Sequence, residues 1–195
     1  MRILCEPELS EDADITYLFG QTPDNEKSVL LKAVEIYGKK QTKLIGFSTE
    51  KEGSAGYAGF QHYKDCLAAT GVPEKAIIGI DLLTENYNTL SEAEALVRET
   101  KKQRWNKIYV TAPAFHLPRV FITTVSVAFR EYSQLKVYSQ LGFPLSWGQK
   151  VKHSQGTTIG MRSELITGEF ERIDRYRAKG DLISLEKVFR YLDWR

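Results

Sequence analysis

Cysteine is scarce, with two in 195 residues. Cys5 and Cys66 form no CxxC and lie far apart in sequence, which excludes a disulfide scaffold and makes reduced thiols the expectation. The three histidines, His62, His116 and His153, lack HxxxH spacing, so no metal site is expected. Charge of one sign is lacking as well. The 27 basic and 25 acidic side chains leave a formal net charge of +2, which gives no electrostatic footprint for duplex nucleic acid. No apolar run approaches the ~20 residues of a membrane helix. The opening Met1-Arg2-Ile3-Leu4-Cys5-Glu6-Pro7 carries a proline and an acid where a signal peptide needs an apolar core. A cytoplasmic protein with no membrane partner is the expectation. Internal repeats and low-complexity tracts are absent.

Glycine-rich signatures are missing too. Phe19-Gly20-Gln21-Thr22 lacks the later glycines of a dinucleotide fingerprint. Gly38-Lys39-Lys40 follows a helical pattern rather than a strand and is no phosphate loop. Gly46-Phe47-Ser48-Thr49-Glu50 resembles a nucleophile elbow, but Glu50 stands where the last glycine belongs. A Ser48–His116 hydrolase is therefore only an alternative.

What is present is an alternation of short apolar runs with helical periods. A chain of this length fits one domain spanning 1–195 and can bury roughly 70 % of its unfolded surface. Strand patterns occupy 14–19, 43–47, 76–80, 107–111 and 135–139, rich in aromatic and β-branched residues. Thr22-Pro23-Asp24 opens the first helix, which stops at Gly38. Tyr57 to Thr70 forms the second, ended by Gly71 and Pro73. Asn88-Thr89 opens the third, with Glu92 in capping-box spacing from Thr89, and Leu117 to Arg130 forms the fourth. Tyr57 and Tyr63 read as packing aromatics. The alternation predicts a Rossmann-like three-layer α/β/α fold with a mostly parallel sheet of about five strands. The core spans about 12–139. Residues 140–158, with scattered glycines and Pro144, read as a long loop. Residues 159–195 read as amphipathic helices, with Ile159, Ile166, Phe170 and Ile173 on an apolar stripe and a solvated charged face.

In such a sheet ligands bind beyond the carboxyl ends of the strands. The turns there offer Gly20-Gln21, then Ser48-Thr49-Glu50, then Asn86 with Asn88-Thr89, and finally Thr111 to His116 with Arg119. The helices that follow point their N-termini at the same edge, favouring a ligand with negative charge. His116 and Arg119 fall one helical turn apart in the HLPR stretch. Arg supplies a fixed fork for carboxylate or phosphate, and His exchanges a proton near neutrality. They are the candidate catalytic pair. Gly20, Gln21, Ser48, Thr49, Asn88, Thr89 and Thr111 join them as candidate ligand-binding residues. The plainer reading makes His116 a cap and pairs Arg119 with a neighbouring helix.

The segment Val110-Thr111-Ala112-Pro113-Ala114-Phe115-His116-Leu117-Pro118-Arg119, with Phe19-Gly20, Gly71-Val72-Pro73 and Asn88-Thr89, resembles the YdcF-like family, the SanA/ElyC-related domains of largely unknown function. The similarity covers about residues 12–130. Departures are Gln21 at the second glycine of the first turn, Thr49-Glu50 at the Gly-Gly after Ser48, and Ser91-Glu92 at the family's Glu-Asn. The resemblance implies a Rossmann-like domain with a pocket at the strand ends. One family member is described as binding S-adenosylmethionine, so the resemblance implies a nucleotide-like ligand as the cofactor class. The leading expectation is binding of a small anionic ligand, the nucleotide-derived class included. The alternatives are a transferase or hydrolase acting on a phosphorylated or nucleotide substrate with His116 as general acid–base, and a non-catalytic interaction protein whose ligand site has degenerated.

Overall fold

The computed structural model describes residues 2–4, 12–53, 56–153 and 158–195; Cys5 lies outside them. Five short strands form a parallel sheet: β1 (Ile15–Leu18), β2 (Ile45–Ser48), β3 (Ile77–Ile80), β4 (Lys107–Ala112) and β5 (Lys136–Leu141). Their order is β3-β2-β1-β4-β5. Each strand lies within two residues of its expected place. Helices α1 (Pro23–Gly38), α2 (Phe60–Ala69), α3 (Thr89–Gln103) and α4 (Leu117–Glu131) cross between them. This is the three-layer Rossmann-like α/β/α fold.

Strand alternation assigns the layers. Ile15, Tyr17 and Phe19 point into a core shared with Ala93, Leu96 and Val97 of α3 and Val120, Phe121 and Val125 of α4. Leu18, between them, points the other way with Ile45 and Phe47, against Val29 and Ala33 of α1 and Tyr63 and Leu67 of α2. The sheet is thus covered on both faces, as a parallel sheet requires.

The C-terminal part corrects the sequence reading. Residues 140–158 are not one loop: β5 runs on to Leu141, and β6 (Lys150–His153) pairs antiparallel with β7 (Thr158–Met161). Ile159 is therefore in a strand, and the next helix, α5 (Arg162–Lys179), starts three residues later. The expected stripe is shifted as well. Ile159 and Phe170 are exposed, while Arg162, Leu165, Glu169 and Ile173 are buried. A charged pair of positions thus lies on the face that packs inward. The hairpin is fastened to the start of α1: Thr22 Oγ1 and Asn25 Nδ2 donate to the Lys152 carbonyl at 2.8 and 3.0 Å, and Lys152 N donates to Asp24 Oδ2 at 2.8 Å. Arg162 Nε donates to Asn25 Oδ1 at 2.9 Å and Nη2 to the Asp24 carbonyl at 2.6 Å, holding α5 to the same turn.

The last helix, α6 (Leu185–Trp194), opens on the Ser184 cap and is tied to β5 through Tyr191. Tyr191 accepts from Val137 N at 2.6 Å and donates to the Leu135 carbonyl at 2.8 Å. Arg195 Nη1 donates to the Val137 carbonyl.

Candidate functional site

The strand order reverses between β1 and β4, where two crossovers diverge and leave a crevice at the carboxyl edge. A cleft of about 280 Å³ opens there. The turn after β1 supplies Gly20, Gln21 and Thr22, the start of α3 supplies Asn88, Thr89 and Glu92, and the start of α4 supplies His116 and Arg119. Tyr57 and Tyr87 line it from the segments before α2 and α3, and His153, Arg172 and Tyr176 close it from β6 and α5. Six of the nine residues singled out from sequence meet here. Ser48, Thr49 and Thr111 do not line the cleft. Ser48 Oγ accepts from Glu50 N at 3.2 Å within its own turn, and Thr49 Oγ1 donates to Asp81 Oδ1 at 2.5 Å. Thr111 is fully buried.

His116 stands at the cap position of α4, without a side-chain capping bond. Gln21 Nε2 donates to the Phe19 carbonyl at 2.9 Å and faces His116 Nδ1 at 3.2 Å. An amide nitrogen can only donate, so Nδ1 accepts and Nε2 carries the hydrogen. That N–H meets Thr89 Oγ1 at 3.3 Å. Burial and then the Arg119 charge hold the imidazole well below its ordinary pKa. The ring is a neutral donor at physiological pH, not a group poised to exchange a proton there, and no Ser48–His116 bond occurs among the described residues. Thr89 Oγ1 also accepts from Arg119 Nη1 at 2.7 Å. One hydroxyl thus joins both candidate residues.

Arg119 is paired across the cleft, as the plainer reading expected. Its Nε and Nη2 donate to Glu169 Oε2 and Oε1 at 2.5 and 3.3 Å. His153 Nε2 and Arg172 Nη1 reach Glu169 Oε1 at 2.9 and 2.8 Å. Burial pushes the Glu169 carboxyl up, but the His153 hydrogen bond, the Arg119 charge and the Arg119 hydrogen bond outweigh it and hold it well below the usual carboxylate range. The rings of His116 and His153, 37 residues apart in sequence, lie 5.5 Å apart between centroids. Among the described residues no group of three or more His, Cys, Asp or Glu side chains is placed to hold a metal ion.

Glu92 behaves in the opposite way. The cap of α3 is Asn88 rather than Thr89: its Oδ1 accepts from Leu90 N and Ser91 N at 2.9 and 3.1 Å, and Ser91 completes the box. This corrects the expected Thr89–Glu92 box and frees Glu92 to turn inward. Its Oε1 accepts from Gly20 N at 3.0 Å and Tyr17 Oη at 3.3 Å. Burial raises the carboxyl to about 8, against the pull of Gly20 N–H, the Tyr17 and Tyr87 phenols and Arg119. Gly20 is needed for close approach, since a Cβ there would lie 1.6 Å from Tyr87 Oη. The wall thus sets two guanidinium groups, Arg119 and Arg172, against the Glu169 carboxylate.

Comparison of the chain with protein-family models, curated proteins and solved structures finds no match in any of the three. Among the described residues no helix is long and apolar enough to cross a membrane.

Sequence reasoning missed Glu92, Glu169, His153, Arg172, Tyr87 and Tyr176, and read Tyr57 as packing only. A usable signal existed for two of them. Leu165, Glu169 and Ile173 are spaced i, i+4, i+8, and Glu92 precedes Leu96 by one turn, so each acid sits on its helix's buried stripe. A carboxylate in that position demands a partner.

Proposed function

We propose that this chain binds a small anionic ligand, of the phosphorylated or nucleotide-derived class, in the cleft at the β1/β4 reversal. The observation that carries the reading is Arg172. Its side chain lines the cleft, Nη1 alone is bonded to Glu169, and the rest of its fork makes no described hydrogen bond. Arg119 adds a second guanidinium, and α1, α3 and α4 all begin at this edge, adding the positive ends of their dipoles. The YdcF-like resemblance belongs to the same proposal, because the Asn88-Thr89 and His116…Arg119 pieces that carry it line this cleft. A cytoplasmic setting goes with it, supported by the free thiol of Cys66.

The test is calorimetric titration of the purified chain with inorganic phosphate, nucleoside mono- and diphosphates and S-adenosylmethionine. The expected result is saturable binding of a phosphate-bearing probe. Arg172→Ala should weaken it by about 1.5–3 kcal/mol, the worth of a charged hydrogen bond. Affinity unchanged in that variant, with the fold intact, would remove the cleft from the binding event.

The general acid–base reading of His116 has less support, because the ring is buried, neutral and bonded at both nitrogens. The interaction-protein reading takes the ligand site to have degenerated. Here Arg172 and Tyr176 of α5 instead furnish part of the cleft wall.

A further inference from the structure

Glu92 lines the cleft and is 3 % exposed. Among the described residues no lysine, arginine or histidine side chain bonds to it. Arg119, the cation whose field reaches it, spends Nε and Nη2 on Glu169 and Nη1 on Thr89. The contrast with Glu169 is instructive, since that carboxylate takes donors from Arg119, Arg172 and His153. A buried carboxyl without a counter-ion is costly to ionise.

Its surroundings are nevertheless arranged for an acceptor. Gly20 N–H can only donate, and it fixes Oε1 from the turn after β1. Tyr17 faces it from β1, Tyr57 from the segment before α2, Tyr87 from the segment before α3 and Arg119 from α4. The Tyr57 and Tyr87 rings lie 5.4 Å apart between centroids and both line the cleft. Phenol faces attract cations, most strongly when water is excluded. The wall thus has two unlike poles, a guanidinium with spare donors and a carboxyl among aromatic rings that no cation satisfies.

We propose that the cleft is built for a zwitterionic ligand, whose anionic group pairs with Arg172 and whose primary ammonium pairs with Glu92 beside the tyrosine rings. This rests on the anionic-ligand reading and adds the second charge. Binding then ionises Glu92 and releases its proton to solvent, because the carboxyl is neutral at pH 7 without a partner. Affinity for the amine rises with pH up to about 8, where the free carboxyl is already ionised.

Two matched probe pairs test it: glucosamine 6-phosphate against glucose 6-phosphate, and phosphoethanolamine against 2-hydroxyethyl phosphate. The members of each pair differ by an ammonium in place of a hydroxyl. Titration calorimetry at pH 7 in two buffers of different ionisation enthalpy reads both affinity and proton release. At least one amine should bind about ten- to hundred-fold tighter than its hydroxyl partner, the range of a charged hydrogen bond, with net proton release. Glu92→Gln, which keeps the shape of the neutral acid, should collapse that ratio to about one. The buffer comparison on the unaltered chain needs no variant to fold. Equal affinity within both pairs, or proton uptake with the amines, overturns the zwitterion while leaving the anion reading intact, provided Arg172→Ala weakens all binders. Binding by none of the four probes overturns the inference. If phosphate and nucleotides also fail to bind, the anion reading falls with it.

Discussion

Arg119 and Glu169, 50 residues apart in sequence, meet in a two-point contact, Nε to Oε2 at 2.5 Å and Nη2 to Oε1 at 3.3 Å. The contact ties α5 to the start of α4 and so sets where the cleft wall stands. Because His153 and Arg172 converge on the same carboxylate, the hairpin is tied to it too.

Loss of that carboxylate should therefore be costly. Glu169→Gln leaves two guanidinium groups facing each other in a buried site, and removing one partner of a buried pair costs about 3–5 kcal/mol. The folded pKa lies below the unfolded value of 4.5, so the stabilisation is present above 4.5 and is lost as pH falls below it. Urea unfolding of the parent chain should lose stability more steeply than the variant on going from about pH 5 to pH 3. Parallel curves would contradict the assignment.

Glu92 carries the opposite sign. Its folded pKa of about 8 stands above 4.5, so the folded chain holds a proton that the unfolded chain releases across that window. The contribution is complete below 4.5 and drains away as pH rises to about 8. Glu92→Gln lacks this loss. Its stability relative to the parent should climb between those pH values and then level off. His116, whose neutral form is favoured by folding, acts equally in both proteins and cancels from the difference. A pH-independent difference in urea midpoints would mean that Glu92 is not held neutral.

Two glycines separate close approach from mere flexibility. At Gly20 a methyl group would fall 1.6 Å from Tyr87 Oη and 2.8 Å from its Cζ, so the ring must leave its place beside Glu92. Overpacking of this kind costs about 1–3 kcal/mol. At Gly38, the last residue of α1, a methyl group meets nothing within 4 Å. Gly38→Ala should be stabilising by about 0.4–1 kcal/mol through the unfolded chain. Thermal melts of the two variants should shift in opposite directions, and a common shift would refute the distinction.

The sheet was legible because its strands are buried on both faces, so the sequence shows short, nearly continuous apolar runs bounded by turn residues. Gly71 marked a helix end for a local steric reason, its φ of +88°, whereas at the end of α1 the left-handed residue is Lys40 rather than Gly38. The hairpin was not legible. In Lys150–His153 only Val151 and His153 point inward, and one of these is polar, so alternation had almost no hydrophobic contrast to reveal it. In β7 the apolar Ile159 and Met161 face outward, which reverses the usual signal. The cleft was legible as a place, through turns converging on one edge, and ten of the thirteen residues of its wall come from those turns and the helix starts beside them. The rest depends on tertiary docking of α5, and the acids there looked like ordinary surface charge. Thr111 and Ser48 do not reach the cleft because both stay within the fold, Thr111 fully buried in β4 and Ser48 accepting from Glu50 N in its own turn.

Tyr191 has a consequence for how copies of this chain behave together. By engaging the main-chain groups of Leu135 and Val137 with one phenol, it occupies the outer rim of β5, where a foreign strand would otherwise zip on. The final helix thereby covers one of the sheet's two edges, and its detachment would bare the main-chain groups of Leu135 and Val137 to pairing with another strand.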